Sequence, residues 1–213
     1  MSNVSYLSFL SVLLPLFAGI IHFKKLTPPY RVFIFFLVFG LLCDVVNFSL
    51  AKSYMNNVWV MNIFMLAEFA VYTYISLAIS QASPVKHIEK IVIPAFLGVW
   101  IYLILIRGSI TEFNNSLNLA ECSWLILLAG GGLVKVSEDV SIPIYKNPVF
   151  LFLAATFIYF AGNLIVFSLA NQVMKTPKPM MDKIWIIHSF WCILTNIIFM
   201  LSLLWTSGNR TYR

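Results

Sequence analysis

The sequence predicts an all-α integral membrane protein, a single domain built as a bundle of seven transmembrane helices. Of its 213 residues, 61% are apolar and 10% are charged, and the mean hydropathy is +0.90. A soluble domain is typically about 45–50% apolar and about 25% charged. Because a chain of this length has no core large enough for 16% aromatic residues, we expect much of the apolar surface to face lipid.

Seven apolar stretches near 20 residues in length supply the predicted helices. They cover residues 4–22, 31–50, 58–80, 91–107, 117–134, 148–171 and 184–206. The polar, turn-rich dividers between them, in chain order, are residues 24–29, 54–57, 81–84, 107–109, 141–143 and 175–179. Proline and the residue before it disfavour helix, which makes several of these boundaries sharp. Helices are favoured over strands because lipid offers no partner for unpaired backbone groups.

Two of the stretches are less clear than the others. The fourth is the shortest, and three glycines at 130–132 weaken the end of the fifth. The first is not read as a signal peptide, since it lacks a basic start and a small-residue cleavage site. All seven are therefore kept as helices.

The distribution of Lys and Arg predicts the orientation, because short cytoplasmic loops carry an excess of both. With the N-terminus outside, nine of these residues fall on the inner side and five on the outer side. This favours an N-out, C-in topology with segment 173–183 outside. The net charge of +6 is spread over short loops, and we expect no nucleic-acid partner.

Four ionisable residues lie within the predicted helices: Asp44, Glu68, Glu121 and His188. Each such group costs at least about 2.5–3.5 kcal/mol at the bilayer centre, so it marks a functional position. With about 1.5 Å rise per residue and alternating helix directions, all four fall in one half of the bundle. Glu68 is the deepest carboxylate, at about 15 Å by that rise. Glu121 and His188 are expected near a wet mouth.

Helical spacing predicts that these groups share an interior. Asn47 follows Asp44 by three residues, Tyr72 follows Glu68 by four, and Asn163 follows Tyr159 by four, so the members of each pair share a helix face. The predicted ligand-binding residues are Asp44, Asn47, Glu68, Tyr72, Glu121, Tyr159, Asn163 and His188. Because neighbouring carboxylates repel, we expect some to be protonated or paired with His188 or a cation. The alternative for the amides is a structural role as hydrogen bonds between helices.

Other chemistries have less support. Mixed carboxylate and imidazole ligation of a metal is conceivable, but the chain has no HxxxH or HExxH motif, and we predict neither a metal nor another cofactor. No GxSxG, P-loop or dinucleotide motif occurs. A retinal-type Schiff base would need an intramembrane lysine, and every lysine lies in a loop or at a helix edge. Cys43, Cys122 and Cys192 are interpreted as small apolar fillers.

Short stretches carry a resemblance to a known class of protein. They are Lys24-Lys25-Leu26, Pro29-Tyr30-Arg31, Asn62-Ile63, Ala67-Glu68-Phe69, Trp185-Ile186-Ile187-His188-Ser189 and Asn196. With them the chain resembles small seven-helix bacterial membrane proteins of no assigned function. Its layout is also similar to the membrane input modules of some sensor kinases. The resemblance implies a bacterial inner (plasma) membrane protein, and without a kinase domain any output would pass through a separate signalling partner.

The predicted function is the binding of a small or lipid-like ligand in the polar half, in a receptor-like or accessory role, with membrane lipids as neighbours. One alternative is an intramembrane enzyme that modifies lipid, with or without a metal. The other is a small proton- or cation-coupled transporter. A transporter should have polar groups on both sides of the midplane, and an enzyme needs a convergent acid, base and nucleophile. The one-sided polar groups favour binding.

Overall fold

The computed structural model describes residues 3–80, 87–108, 110–138, 142–173 and 178–208. All regular secondary structure in these ranges is helical. Seven spans are long and apolar enough to cross a membrane, in agreement with the predicted number. They are Val4–Lys25, Pro28–Lys52, Val58–Ser80, Glu89–Ile106, Asn115–Ser137, Pro148–Leu169 and Trp185–Thr206.

Eight α-helices make up these spans in the described part of the chain. They are α1 (Asn3–Ser11), α2 (Leu13–His22), α3 (Pro28–Lys52), α4 (Val58–Ser80), α5 (Glu89–Trp100), α6 (Asn115–Ser137), α7 (Pro148–Val173) and α8 (Lys178–Gly208). Single 3₁₀ turns, Phe23–Lys25 and Ile144–Lys146, precede α3 and α7. The π-helical segment Ile101–Ile106 continues α5.

Two helices begin three or more residues earlier than predicted, and each has a proline in its first turn. α3 starts at Pro28 and not at residue 31, and α8 starts at Lys178 and not at 184. The first backbone N–H groups of a helix have no partner within it, so a proline there loses nothing. Residues 178–183, predicted as part of an outer loop, are therefore helical, and 174–177 lie outside the described residues.

The first span is broken, where a single helix over 4–22 was predicted. α1 ends at Ser11 and α2 begins at Leu13. Pro15 has no N–H to donate to the Ser11 carbonyl, and its ring crowds the preceding turn, so the helix is interrupted there. Both pieces pack against α8, and α2 packs against α3 as well.

The three consecutive glycines do not weaken the end of α6, which continues to Ser137. A Cβ on Gly132 would lie 2.9 Å from Leu153 Cδ1 and 3.0 Å from Ser80 Cβ. The small residue therefore allows close approach of α6 to α7 and α4. Gly162 of α7 has the same role against Trp191 of α8, since its Cβ would lie 2.8 Å from that indole ring.

Six of the spans form a ring in the order α2, α3, α4, α6, α7 and α8, which closes back on α2. α1 continues the first span and packs along α8. α5 lies outside the ring against α4, where the Phe96 ring stacks on Phe69 at 3.7 Å. The indole of Trp100 donates to the backbone carbonyl of Asn62 at 3.0 Å.

The interior of the ring is divided into two halves of different chemistry. The half around Phe33, Phe152 and Phe199, here called the aromatic half, has ring centroids 4.8–5.0 Å apart. All three rings are fully or almost fully buried. The other half, here called the polar half, contains the four ionisable residues singled out above. It holds the candidate site.

Candidate functional site in the polar half

Glu68 lies at the centre of the site because it is near the middle of α4 and its side chain points into the helix ring. Its side chain is 8% exposed. Tyr159 of α7 lies near enough to the Glu68 carboxyl to interact with it, and Asn163 lies near the Tyr159 hydroxyl. Tyr159 and Asn163 are four residues apart, so they share one face of α7. The polar groups of Glu68, Tyr159 and Asn163 thus form a cluster between α4 and α7.

Glu121 of α6 is a second buried carboxyl beside the first. It is only 2% exposed and close enough to Glu68 for their charges to interact. The prediction of a wet Glu121 is therefore wrong. The reason is a tertiary contact: Asn62 of α4 donates to the backbone carbonyls of Ile110 at 2.7 Å and Glu112 at 3.0 Å, which holds the segment before α6 over the end of α4.

Asp44 and Asn47 of α3 differ from the other predicted residues in their exposure. The Asp44 side chain is exposed, yet its charge lies near Glu68 of α4 and Cys192 of α8. Asn47 is half-buried one turn further along, and its amide oxygen has no hydrogen-bond partner. The described contacts place Asp44 with the cluster and do not connect Asn47 to it.

His188 of α8 joins the site through Cys192, which the sequence analysis treated as a filler. The Cys192 Sγ atom lies 3.5 Å from His188 Nε2, one helical turn away. The side chain of Ser8 in α1 lies near the same thiol. The i, i+4 spacing of His188 and Cys192 could have revealed this pair, whereas the contact with Ser8 depends on tertiary packing.

Tyr72 separates the site from the aromatic half. Its ring packs on Phe160, Phe36 and Phe33 at centroid distances of 5.2, 5.6 and 6.0 Å. Its phenol also lies close enough to Glu68 and Cys192 for electrostatic interaction. The Tyr72 side chain therefore lies at the boundary between the polar cluster and the aromatic half.

The site leaves several buried polar atoms without partners. Within the described residues these are Glu121 Oε1, Asn163 Oδ1, Asn47 Oδ1 and His188 Nδ1. Glu121 and Asn163 are 2% and 3% exposed. A buried acceptor without a partner costs about 1–3 kcal/mol, so groups of them are uncommon unless something else satisfies them.

Other buried amides do connect elements, as the structural alternative predicted. Asn196 of α8 donates to Ser11 Oγ of α1 at 2.8 Å, and Asn62 holds the segment before α6. The buried amides are therefore of two kinds. The side-chain nitrogens of Asn62 and Asn196 donate hydrogen bonds to other elements. The side-chain oxygens of Asn163 and Asn47 have no hydrogen-bond partner. Of the second kind, Asn163 belongs to the candidate site, since it lies near Tyr159.

Metal chemistry has no geometric basis in the part of the chain that the structure describes. No three His, Cys, Asp or Glu side chains there are placed to hold one ion. Two cavities of about 280 and 220 Å³ occur elsewhere. The larger lies between Leu103 and Ser116, and the smaller lies around Tyr30 and Val149. The polar cluster is a packed group of side chains and lines neither of them.

Comparison with protein-family models, with curated proteins and with solved structures found no match to this chain. The site must therefore be interpreted from its own residues.

Proposed function

We propose that this chain is a multi-pass protein of the cell's inner (plasma) membrane that binds a small or lipid-like ligand in the polar half. Its role would be receptor-like or accessory, with any signal passed to a separate partner protein. The single observation that carries the proposal is the pair of buried, unpartnered acceptors, Glu121 Oε1 and Asn163 Oδ1, beside the Glu68 carboxyl. A ligand that donates hydrogen bonds would satisfy them.

The chemistry of the surroundings supports binding over transport. Among the described residues in the interior of the aromatic half, two hydroxyl groups bond to backbone carbonyls, while the Ser76 hydroxyl has no partner. Thr156 donates to the Phe152 carbonyl at 2.9 Å, and Ser202 donates to the Pro148 carbonyl at 2.7 Å. No described carboxyl lies there, so a charged solute would have no second site along a path through the ring.

The test is retention of a ligand by the purified protein. The wild-type chain and the variants Glu68→Gln and Asn163→Leu would be extracted from their own membranes in mild detergent and analysed by mass spectrometry. We expect a bound molecule in the wild type that is depleted in both variants. Glu112→Gln is the matched control, because Glu112 is exposed and outside the cluster. Equal retention by all four proteins would contradict the proposal.

The proposed orientation is N-out, C-in. It is supported by the basic residues beside the aromatic half, where Lys24 and Lys25 precede α3 and Arg31 donates to the Lys24 carbonyl at 3.2 Å. Lys146 lies over the Trp205 and Tyr145 rings at 5.8 and 5.7 Å, at the same end of the bundle. Single cysteines introduced by Tyr54→Cys and Tyr145→Cys into a cysteine-free chain test it. In intact cells a membrane-impermeant maleimide should label only the first, and the reverse pattern would reject N-out.

One observation favours an intramembrane enzyme as the second candidate. The Cys192 thiol and the His188 imidazole, 3.5 Å apart, have the arrangement of a nucleophile and its base. The variant Cys192→Ser distinguishes the candidates: a binding protein should keep its ligand, while an enzyme that uses the thiol should lose turnover of a lipid substrate.

A further inference from the structure

The environment of α3 changes along its length. All of its buried residues lie between Tyr30 and Leu37, within its first ten residues. None of the fifteen residues from 38 to 52 is buried. The neighbouring helix α4, by contrast, has buried residues from Val60 to Ser80. The second half of α3, residues 38–52, therefore presents much more of its surface to the surroundings of the bundle than the first half does.

The second half of α3 carries an exposed acidic residue. Of the four ionisable residues singled out within the spans, Glu68 and Glu121 are buried and His188 is half-buried, but Asp44 is exposed. It precedes Lys52, the last residue of α3, by eight residues, or about 12 Å by helix rise. Ionisable groups at membrane depth almost always face a bundle interior or an oppositely charged partner. An exposed carboxyl at this depth indicates a partner outside the bundle.

The described part of the chain supplies no cation for Asp44. The ion pair found there joins His87 to Glu89, and neither residue lies in α3. Lys52 is two turns away and forms no ion pair with Asp44. A second copy of the chain packed on the same face would bring one Asp44 against another, and like charges oppose such a contact. The complementary group is therefore a cation from a different molecule.

The surface around the carboxyl indicates what carries that cation. Val45 is 51% exposed, and Phe48, one helical turn from Asp44 on the same face, is 46% exposed. These apolar side chains match another apolar helix, which would pack on Phe48 and cover the carboxyl. Attraction between opposite charges is stronger away from water, so one basic residue on such a helix would bind Asp44 selectively.

We propose that the second half of α3 binds an apolar transmembrane helix of a partner protein, and that a lysine or arginine of that helix pairs with Asp44. This inference rests on the proposed function only for the existence of a separate partner. It adds the surface at which the partner binds and the chemistry that recognises it.

The experiment measures association of the full chain with synthetic transmembrane helices in phosphatidylcholine vesicles. Each peptide has about 20 leucine and alanine residues, an acceptor dye, and a central lysine, leucine or glutamate. The central residue has a similar depth in either orientation of the peptide. A donor dye is attached through Tyr54→Cys, an exposed position just after α3, in the cysteine-free chain. Energy transfer at increasing peptide density gives the affinity.

We expect the lysine peptide to bind at least about tenfold more tightly than the leucine peptide, a difference of about 1.4 kcal/mol. Asp44→Asn, which keeps the shape of the side chain, should abolish this preference. Asp44→Lys should exchange it, so that the glutamate peptide binds most tightly. Thermal unfolding confirms that each variant is folded, and if Asp44→Lys does not fold, Asp44→Asn alone decides.

A matched pair of truncations tests which face of α3 is used. Phe48→Ala should weaken binding of the lysine peptide severalfold, because Phe48 shares a face with Asp44. Val46→Ala is the control: Val46 is 40% exposed, but two residues separate it from Asp44, so it lies on a different face. Equal effects of the two substitutions would overturn the proposed surface.

The remaining outcomes separate this inference from its alternatives. Equal binding of the lysine and leucine peptides, or a lysine preference that survives Asp44→Asn, would overturn it. Energy transfer between two labelled copies of the chain that Phe48→Ala abolishes would assign the surface to a second copy and overturn the partner helix. If Glu68→Gln and Asn163→Leu deplete the bound ligand while the peptides bind alike, only this inference fails. If ligand retention is unchanged while the lysine peptide requires Asp44, only ligand binding in the polar half fails.

Discussion

The aromatic and polar halves of the helix ring are built by the same helices but satisfy their side chains in opposite ways. In the aromatic half, Phe33, Phe152 and Phe199 fill the interior, and Trp124 donates to the Thr73 hydroxyl at 3.1 Å. In the polar half, carboxyl and amide groups are brought together and some keep unused acceptors. The aromatic half contains the unpartnered Ser76 hydroxyl, whereas the unpartnered oxygens of the polar half belong to carboxyl and amide groups.

This difference teaches where stability and function are located. A core that is packed and satisfied contributes stability and gains nothing from a ligand. A buried polar group without a partner costs stability and persists where it is used. Substitutions should therefore lower the free energy of unfolding in the aromatic half and raise it in the polar half.

The largest effect is expected in the aromatic half. Phe152 is fully buried, with Phe33 and Phe199 rings each 5.0 Å away. Phe152→Ala should lower the free energy of unfolding by about 3–5 kcal/mol, because it leaves a cavity among close-packed rings. Reversible unfolding in mixed micelles measures it. Phe17→Ala, at a position that is 58% exposed, is the control and should change little. A similar loss for both would mean that the aromatic half is not the stabilising core.

A smaller decrease in the free energy of unfolding is expected where a glycine allows two helices to approach closely. Gly162→Ala places a Cβ 2.8–3.3 Å from Trp191 atoms, so α7 and α8 must separate. Overpacking of this kind costs about 1–3 kcal/mol. Gly131→Ala is the matched control, since no atom lies within 4 Å of its Cβ position. Equal stability of the two variants, again from unfolding in micelles, would show that α8 adjusts without cost.

In the polar half, a substitution should raise the free energy of unfolding. Replacing Glu121 with methionine of similar length removes a buried acceptor that has no partner, so the ligand-free protein should gain about 1–2 kcal/mol in unfolding free energy. The same variant should retain less of the natural ligand. Glu112→Met at the exposed position is the comparison. Destabilisation by Glu121→Met with full ligand retention would make Glu121 a structural residue and break the contrast between the halves.

The smallest effect concerns one interhelical hydrogen bond. Trp124 Nε1 of α6 donates to Thr73 Oγ1 of α4 at 3.1 Å, which connects these helices in the aromatic half. A double-mutant cycle with Trp124→Phe and Thr73→Val should give a coupling of about 0.6 kcal/mol, the average for such bonds between membrane helices. A coupling above about 2 kcal/mol would exceed the range measured for such bonds and place unexpected stability in a polar contact.

Much of the architecture follows from the sequence alone. Composition and spacing determine three of its features, which depend little on packing. These are the apolar content, the seven stretches long enough to span a membrane, and the confinement of ionisable residues to one half. The sequence also places Glu68, Tyr159 and Asn163 at compatible depths, because helix rise is constant. Their grouping required only that α4 and α7 face each other.

Tertiary structure decided the rest. The burial of Glu121 depends on how Asn62 holds a distant segment, and the proximity of Cys192 to Ser8 depends on α1 packing along α8. Periodicity fixes which residues share a face of one helix, but it contains no information on which other helix that face will meet.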